Sequence, residues 1–252
     1  SKRLRPALSY ASGQSSKVAG DLPGIEAAAL ALELIHTYSL IHDDLPAMDD
    51  DDMRRGKPSL HVAYDEATAI LVGDGLQARA FELLADAPGL TDTQKVRMIK
   101  VLAHAAGPAG MVGGQYIDIQ ATDSEMTLEE LQAMHALKTG ALIRASVALG
   151  GIAAGATEEQ LAALDEYGTH IGLAFQVVDD ILDVEADSET LGKTAGKDGD
   201  ANKPTYVKLM GLEGAKAESQ RLLQAALDAL DDFGDSADHL RDLARYIVER
   251  DR

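Results

Sequence analysis

Cysteine is absent from the 252 residues. That excludes disulfide staples, thiol catalysis and Cys-ligated zinc, and it fits a reducing compartment. Strand signals are also nearly missing, since β-branched runs are short and apolar residues recur at three and four rather than alternating. No uncharged apolar run approaches the roughly 18 residues of a membrane span, and no signal peptide opens the chain, so a cytoplasmic protein with no membrane span is expected. Basic residues are scarce: 23 Lys and Arg stand against 42 Asp and Glu, a net charge of −19. Such a surface disfavours binding to nucleic-acid phosphates. What is present in bulk is ordinary for a globular chain, 46% hydrophobic and 26% charged, with enough length to bury a sizeable core.

Helical periodicity predicts an all-α bundle. The stretch Ile25 to His42 places apolar residues at 25, 28, 32, 35 and 41, with 30 and 34 on another side, so it should be central and buried. Further helices are expected over Val62–Leu84, Thr91–Ala106, Leu128–Leu149, Glu158–Glu185, Ala215–Asp232 and Ala237–Arg250. Thr127 and Thr157 each match the S/T-x-x-E/Q capping box, and Pro88-Gly89 and Gly107-Pro108 punctuate helices. No linker is long enough to divide the chain, so residues 1–252 are read as one domain. The glycine-rich segment Gly192 to Asn202 is the candidate mobile loop. The chain opens on S-K-R-L-R-P, and natural N-terminal helices are expected to be missing before it.

Acid is concentrated in two clusters about 130 residues apart, each after an apolar helical stretch. Six of the ten residues from Asp43 to Asp52 are Asp; the second cluster runs D-D-I-L-D from Asp179 to Asp183. Carboxylates massed at the edge of apolar surface repel one another and lose hydration unless a cation compensates. Oxygen ligands suit magnesium, which bridges readily to phosphates. Asp179 and Asp183 are four apart and share a helix face, with Asp180 beside them. A solvated acidic face is the plain alternative, but the apolar run from Ile171 to Val178, interrupted only by Gln176, argues against it. Asp43 and Asp49 are six apart and could not share a face of a regular helix. Pro46 disfavours helix at the residue before it, so the helix should end near Asp44 and let Asp49 fold back toward Asp43.

Basic side chains lie beside these ledges. Arg54 and Arg55 follow the first cluster, Lys2, Arg3 and Arg5 open the chain, and Lys138, Lys193, Lys197 and Lys203 recur later. Guanidinium forks match phosphate oxygens, so the pattern points to a polyanionic ligand. His36 sits two helical turns before Asp43 on the same stripe; a satisfied core histidine is its ordinary reading.

With these motifs in order, the chain resembles the short-chain trans-isoprenyl diphosphate synthases over practically its whole length. The resemblance rests on K-R-L-R-P at 2–6, H-D-D-L-P-A-M-D-D-D-D at 42–52, R-R-G at 54–56, G-D at 73–74, G-G-Q at 113–115, K-T-G at 138–140, F-Q-V-V-D-D-I-L-D at 175–183, L-G-K at 191–193 and K-P-T-Y at 203–206. It implies a helical bundle around a deep central cavity, a homodimer, and magnesium-dependent condensation of isopentenyl diphosphate with dimethylallyl or geranyl diphosphate to a fifteen-carbon farnesyl diphosphate. Asp43, Asp49 and Asp179 would be the chief ligands of three magnesium ions, with Asp44, Asp180 and Asp183 supporting them. Arg54, Lys138, Lys193 and Lys203 would hold the allylic diphosphate, and Lys2, Arg5, His36 and Arg55 isopentenyl diphosphate. Thr139 and Gln176 would lie near the reacting carbons, with Lys138 beside them. Ser1 replaces the family's usual glycine and Val207 its usual proline.

Product length follows from the helix before Asp43. Ser39 is one turn below Asp43 and Tyr38 five residues below, ~7.5 Å down the axis, so Tyr38 is the expected floor of the shaft. The same chemistry with a geranyl or geranylgeranyl product is the near alternative. A terpene cyclase would not need Lys2, Arg5 and Arg55, and a non-catalytic subunit would be expected to lose one Asp motif. An acidic calcium-binding helical protein is the blandest reading.

Overall fold

The computed structural model describes residues 3–16, 23–121, 126–190 and 204–250. Lys2, Lys193, Lys197, Lys203 and the segment Gly192 to Asn202 therefore lie outside the described residues. Eleven α-helices occur in what is described: α1 Leu4–Ser15, α2 Pro23–Asp43, α3 Leu60–Ala63, α4 Glu66–Ala85, α5 Asp92–Ala106, α6 Met111–Ala121, α7 Leu128–His135, α8 Ala141–Ala153, α9 Glu158–Thr190, α10 Tyr206–Asp228 and α11 Asp238–Glu249. A π-helical turn, Ala136–Gly140, joins α7 to α8, and a 3-10 segment, Asp231–Ala237, precedes α11. The described sheet is a two-residue hairpin, β1 Met53–Arg54 against β2 Lys57–Pro58.

Helix α2 is the axis of the bundle, packed against α1, α4 and α8. Ile25, Ala28, Leu32 and Ile35 are all buried on it, at the spacing that keeps one stripe inward. Each large aliphatic side chain buried there contributes about 1.5–3 kcal/mol. Helix α9, 33 residues and ~50 Å long, lies between α8 and α10. Tyr167, wholly buried on it, donates its hydroxyl to the Leu240 carbonyl at 2.7 Å and ties α9 to α11. Two stretches, Gly24–Asp43 and Leu128–Ala153, are long and apolar enough to cross a membrane by length and composition, with 50% and 56% of their windows buried in the bundle. Their packing around the axis accounts for that composition as core.

Capping explains the helix starts. Thr127 and Glu130 close the reciprocal box at 2.8 and 3.2 Å, and Thr157 and Gln160 do so at 3.0 and 3.2 Å. The helix expected over Val62–Leu84 divides instead, because Asp65 caps α4 by accepting from the Thr68 amide at 2.7 Å. An Asp that bonds its own downstream backbone starts a new helix rather than continuing the old one. The helix expected over Leu128–Leu149 is interrupted by the π turn. Helices α1 and α6 carry no clear periodic signal: α6 begins M-V-G-G and alternates apolar residues, and tertiary packing overrides that local preference.

Candidate active site

Helix α2 ends at Asp43 and the chain turns back on itself. The Asp49 amide donates to the Asp43 carbonyl at 2.8 Å, and Met48 and Asp50 both bond to the Leu45 carbonyl. Asp50 takes a positive φ of 52° in this turn. The reversal expected from Pro46 is therefore present, with Asp43 half-buried and Asp49 exposed beside it. Asp44 points elsewhere: it is buried, and Arg54 Nε donates to both its oxygens at 2.7 and 2.8 Å. This fork bolts the β1–β2 hairpin to the end of α2. At the hairpin tip Arg55 and Gly56 have φ of 53° and 75°. A two-residue turn with both φ positive favours Asn-Gly, so an arginine there is held at a conformational cost.

Two cavities open beside α2. The first, about 410 Å³, is lined by Asp43, Lys138 and His42 at one part and by Tyr38, Met111, Val112, Tyr116 and Ile119 at another. The second, about 670 Å³, carries Arg3, Arg5, Arg55, Glu33, Phe175 and Gln176. Arg5, His36 and Thr139 line both, so the two spaces meet at these three side chains. Tyr38 is buried and edge-on to His42, ring centroids 5.6 Å apart. Ser39 lines the first cavity and donates to the His36 carbonyl at 2.9 Å.

The π turn presents Lys138 and Thr139 together. Its wider winding lets both adjacent residues reach the first cavity, and such bulges recur at functional sites. Two glycines permit the approach of neighbouring helices. A Cβ on Gly114 of α6 would fall 2.2 Å from the Lys138 amide nitrogen, and one on Gly172 of α9 2.9 Å from the Gly140 Cα. Lys138 Nζ is paired with Asp118 of α6 at 2.5 Å.

The second acidic cluster lies on α9 beyond Gln176. Asp179 lines neither cavity; its Oδ1 accepts from Arg250 just past the end of α11. Asp180 accepts from the Tyr206 amide at 2.7 Å and so anchors the first residue of α10. Asp183 is exposed one turn further on. Of the residues singled out by sequence, the structure thus brings Arg5, His36, Tyr38, Ser39, Asp43, Lys138 and Thr139 to one cavity, and Arg55 and Gln176 to its neighbour. Asp44 and Arg54 are spent largely on each other, and Asp179, Asp180 and Asp183 line neither cavity, lying further along α9 than Gln176.

The first cavity mixes Asp43 with Lys138 and Arg5, whereas the second is dominated by Arg3, Arg5 and Arg55. Burial pushes the Asp43 carboxyl up to about 6, aided by Asp49 and Asp44 and opposed by Lys138 and Arg54. Asp180 is likewise raised to about 6, by burial first and then by Asp183 and Asp179. At both ledges burial outweighs the cations nearby, Lys138 and Arg54 at Asp43 and Lys208 at Asp180. His36 is driven down to about 3 by burial and then by Arg5, Arg55 and Arg54, so it is neutral among arginines. Arg5 is half-buried, lowered to about 10 by burial, and its Nε is enclosed without a hydrogen-bond acceptor. An enclosed, unsatisfied guanidinium N–H marks a place for an anion.

The ledges fit a hard divalent cation, because their donors are carboxylate oxygens with desolvated charge. Among the described residues no three His, Asp or Glu side chains converge to cage an ion alone. Magnesium is commonly held through one or two carboxylates with waters and substrate phosphates completing the shell, which is what such a layout admits.

Sequence reasoning missed two residues. Asp118, the partner of Lys138, lies one turn after Gln115 of the G-G-Q motif, and that i, i+3 spacing was the available signal. Arg250 is 71 residues from Asp179 and no local pattern connects them.

The family model described as polyprenyl synthetase matches residues 1–244. Farnesyl diphosphate synthase of Escherichia coli (strain K12) is 48% identical over 257 residues, covering 100% of this chain and 85% of that protein. Geranylgeranyl pyrophosphate synthase, chloroplastic, of Capsicum annuum is 47% identical over 253 residues, covering 99% and 68%. The crystal structure of a putative farnesyl-diphosphate synthase from Marinomonas sp. MED121 superposes with a TM-score of 0.84 at 47% identity, covering 98% of this chain and 84% of that one. Acid ledges, a cationic pocket and an apolar cavity thus occur in a chain that the family model matches over residues 1–244: it belongs to the polyprenyl synthetase family, with the all-α isoprenoid synthase fold.

Proposed function

We propose that this chain condenses isopentenyl diphosphate with dimethylallyl and geranyl diphosphate to give farnesyl diphosphate, by ionisation, condensation and elimination. One observation carries the reading: an apolar cavity headed by Asp43 and Lys138 and a cationic cavity built on Arg5 and Arg55 share Arg5, His36 and Thr139 as their common boundary. Two diphosphate esters held on either side of that boundary would have their reactive carbons facing across it. Farnesyl diphosphate synthases at 43–48% identity over the chain support the product assignment.

Asp43, Asp49, Asp179 and Asp183 are the proposed ligands of Mg2+, three ions when diphosphate is bound, with Asp44 and Asp180 fixing the loops around them. Bound Mg2+ supplies neutralisation of the charge that develops on the leaving diphosphate. Lys138, which lines the first cavity, is the proposed hold on the allylic diphosphate, with Arg54 joining it from its pairing with Asp44 and Lys193 and Lys203 proposed from beyond the described residues. Arg5, Arg55, His36 and Lys2 are the proposed hold on isopentenyl diphosphate. Neutral His36 can share a hydrogen bond there without adding a proton that the arginines would repel.

Once the C–O bond of the allylic ester breaks, positive charge develops on its C1 at the boundary. In this reading the Thr139 hydroxyl and the Gln176 amide oxygen, both at the second cavity, stabilise it as dipoles without bonding to it. The double bond of isopentenyl diphosphate then attacks, and a proton leaves to the departed diphosphate; no side-chain base is assigned. Water would capture the cation; Met111 is buried at this cavity, while Val112 and Ile119 are exposed and would shield the cation only once a substrate tail lies against them. Tyr38 and Ser39 set how far a tail can extend into the shaft.

A homodimer is part of the same reading. Ile70, Leu71 and Val72 of α4 are 43, 69 and 38% exposed, an apolar run that a second copy would cover.

The test is direct. The protein is incubated with Mg2+, labelled isopentenyl diphosphate and geranyl diphosphate, and the products are dephosphorylated and sized. A fifteen-carbon alcohol supports the assignment, a twenty-carbon alcohol alone would shift it to a geranylgeranyl synthase, and no turnover would overturn it.

A further inference from the structure

His42 is the penultimate residue of α2, where that helix packs along α4. Tyr38 lies four residues before it on the same face. The two rings meet edge to face, with centroids 5.6 Å apart and an interplanar angle of 79°, an arrangement that aromatic pairs favour. The Nε2 end of the imidazole meets α4. Nε2 donates to the Ile70 carbonyl at 3.1 Å; a carbonyl only accepts, so this nitrogen carries the proton. Three residues further along α4, Gly73 is buried against the same ring. A Cβ on Gly73 would fall 2.0 Å from Nε2, 2.5 Å from Cδ2 and 2.8 Å from Cε1 of His42.

The imidazole is thus fixed by a backbone carbonyl and a glycine of α4, and it in turn bears on the Tyr38 ring. Both His42 and Tyr38 line the apolar cavity. Among the described residues that line it none comes from α4, so this helix reaches the cavity through the histidine. A ring can turn only into space that its neighbours leave. With His42 in place the side of Tyr38 toward α4 is filled, and the phenol ring stays at the foot of the shaft below Ser39.

We propose that His42 is a positioning residue for product length: seated on Ile70 and Gly73 of α4, it holds the Tyr38 ring across the shaft and so fixes where a growing prenyl tail must stop. The inference rests on the assignment of Tyr38 as the floor made above. It makes the spacing of α2 and α4 a determinant of product size. Widening the seat lets Tyr38 turn aside and admits a longer tail; crowding it drives the imidazole off α4, toward Tyr38 and the cavity, and shortens the shaft.

The test reads product ratios, which a loss of stability or of overall rate does not by itself move. Parent, His42→Ala, His42→Gln, Gly73→Ala, the His42→Ala/Gly73→Ala double variant and Tyr38→Ala are incubated with Mg2+, labelled isopentenyl diphosphate and dimethylallyl diphosphate. The dephosphorylated alcohols are then sized. His42→Ala is expected to raise the ratio of twenty- to fifteen-carbon alcohol by about 2- to 10-fold, the order set by one aromatic ring contact. His42→Gln keeps an amide donor for the Ile70 carbonyl without the ring, and is expected to shift the ratio the same way; it decides the question if His42→Ala does not fold. Gly73→Ala is expected to raise the ten-carbon share instead, and to add nothing once His42 is alanine, because its Cβ acts on the imidazole. Parental ratios in both His42 variants while Tyr38→Ala lengthens products, or a Gly73→Ala shift of equal size in both backgrounds, would overturn the brace. Parental ratios in Tyr38→Ala would instead remove the floor assignment, and the brace with it.

Discussion

The Asp49 amide donates to the Asp43 carbonyl at 2.8 Å, so two aspartates that a continuous helix would send apart are closed into one ring of backbone. Pro46 makes the closure possible by ending the helix. Asp43 consequently stands at the rim of an apolar cavity with its carboxyl raised to about 6, mainly by burial. A cation beside it relieves that strain. Replacing Asp43 by Asn should lower kcat on the order of 10²–10³-fold, the usual loss when one preorganised charge-stabilising group is removed, while leaving the fold intact by circular dichroism.

Tyr38 is buried at the first cavity and braced edge-on by His42. Removing its ring opens the shaft below Ser39. Tyr38→Ala should shift products from fifteen toward twenty carbons, read by chromatography of the dephosphorylated alcohols. An unchanged product distribution would take Tyr38 out of that role.

Asp118 holds Lys138 at 2.5 Å and both side chains are mostly enclosed. Asp118→Asn should leave the lysine unanchored and cut kcat/KM for geranyl diphosphate by roughly 10-fold, the order of a lost charge-assisted hydrogen bond. The change should fall mainly on the allylic substrate; an equal loss for isopentenyl diphosphate would argue against a local effect.

Arg54 satisfies the buried carboxylate of Asp44 with two hydrogen bonds. Arg54→Ala leaves that charge buried and unpaired. Because Arg54 is 32% exposed, the expected cost is about 2 kcal/mol rather than the roughly 3–5 kcal/mol of a fully buried pair. Urea unfolding measures it, and a loss near zero would show that the hairpin is held by other contacts.

His36 titrates near 3 in the folded protein and near its ordinary 6.5 when unfolded. The unfolded chain therefore takes up a proton as pH falls below about 6.5 while the native chain does not, so this contribution to stability is full at neutral pH and lost on acidification toward 3. Asp43 and Asp180, raised to about 6, act in the opposite sense between pH 6 and 4. The comparison of parent with His36→Asn isolates the histidine: in EDTA the difference in melting temperature should move steadily against the parent from pH 7 to 4. A pH-independent difference would contradict the buried neutral state.

Much of this was legible in the sequence because it is local. The apolar stripe of α2, the capping boxes at Thr127 and Thr157, and the helix-ending Pro46 each act within a few residues. Spacing alone also brought Asp43 and His36 to one stripe. Other features depended on distant partners. The π turn at Lys138 is shaped by Gly114 and Gly172 pressing from two other helices, and no periodicity within residues 128–149 records that. Asp44 looked like its neighbour Asp43 until Arg54 was seen to claim it. Arg250 reaches Asp179 only because α11 folds back along α9.

The central claim is that carboxylates on two separate helices, α2 and α9, take up diphosphate together through divalent ions. Calorimetric binding of inorganic pyrophosphate tests it most directly, with and without Mg2+, in the parent, Asp43→Asn and Asp179→Asn. The account predicts heat of binding only with Mg2+ and its severe weakening in either variant. Pyrophosphate binding that persists in EDTA, or that Asp179→Asn leaves unchanged, would contradict it.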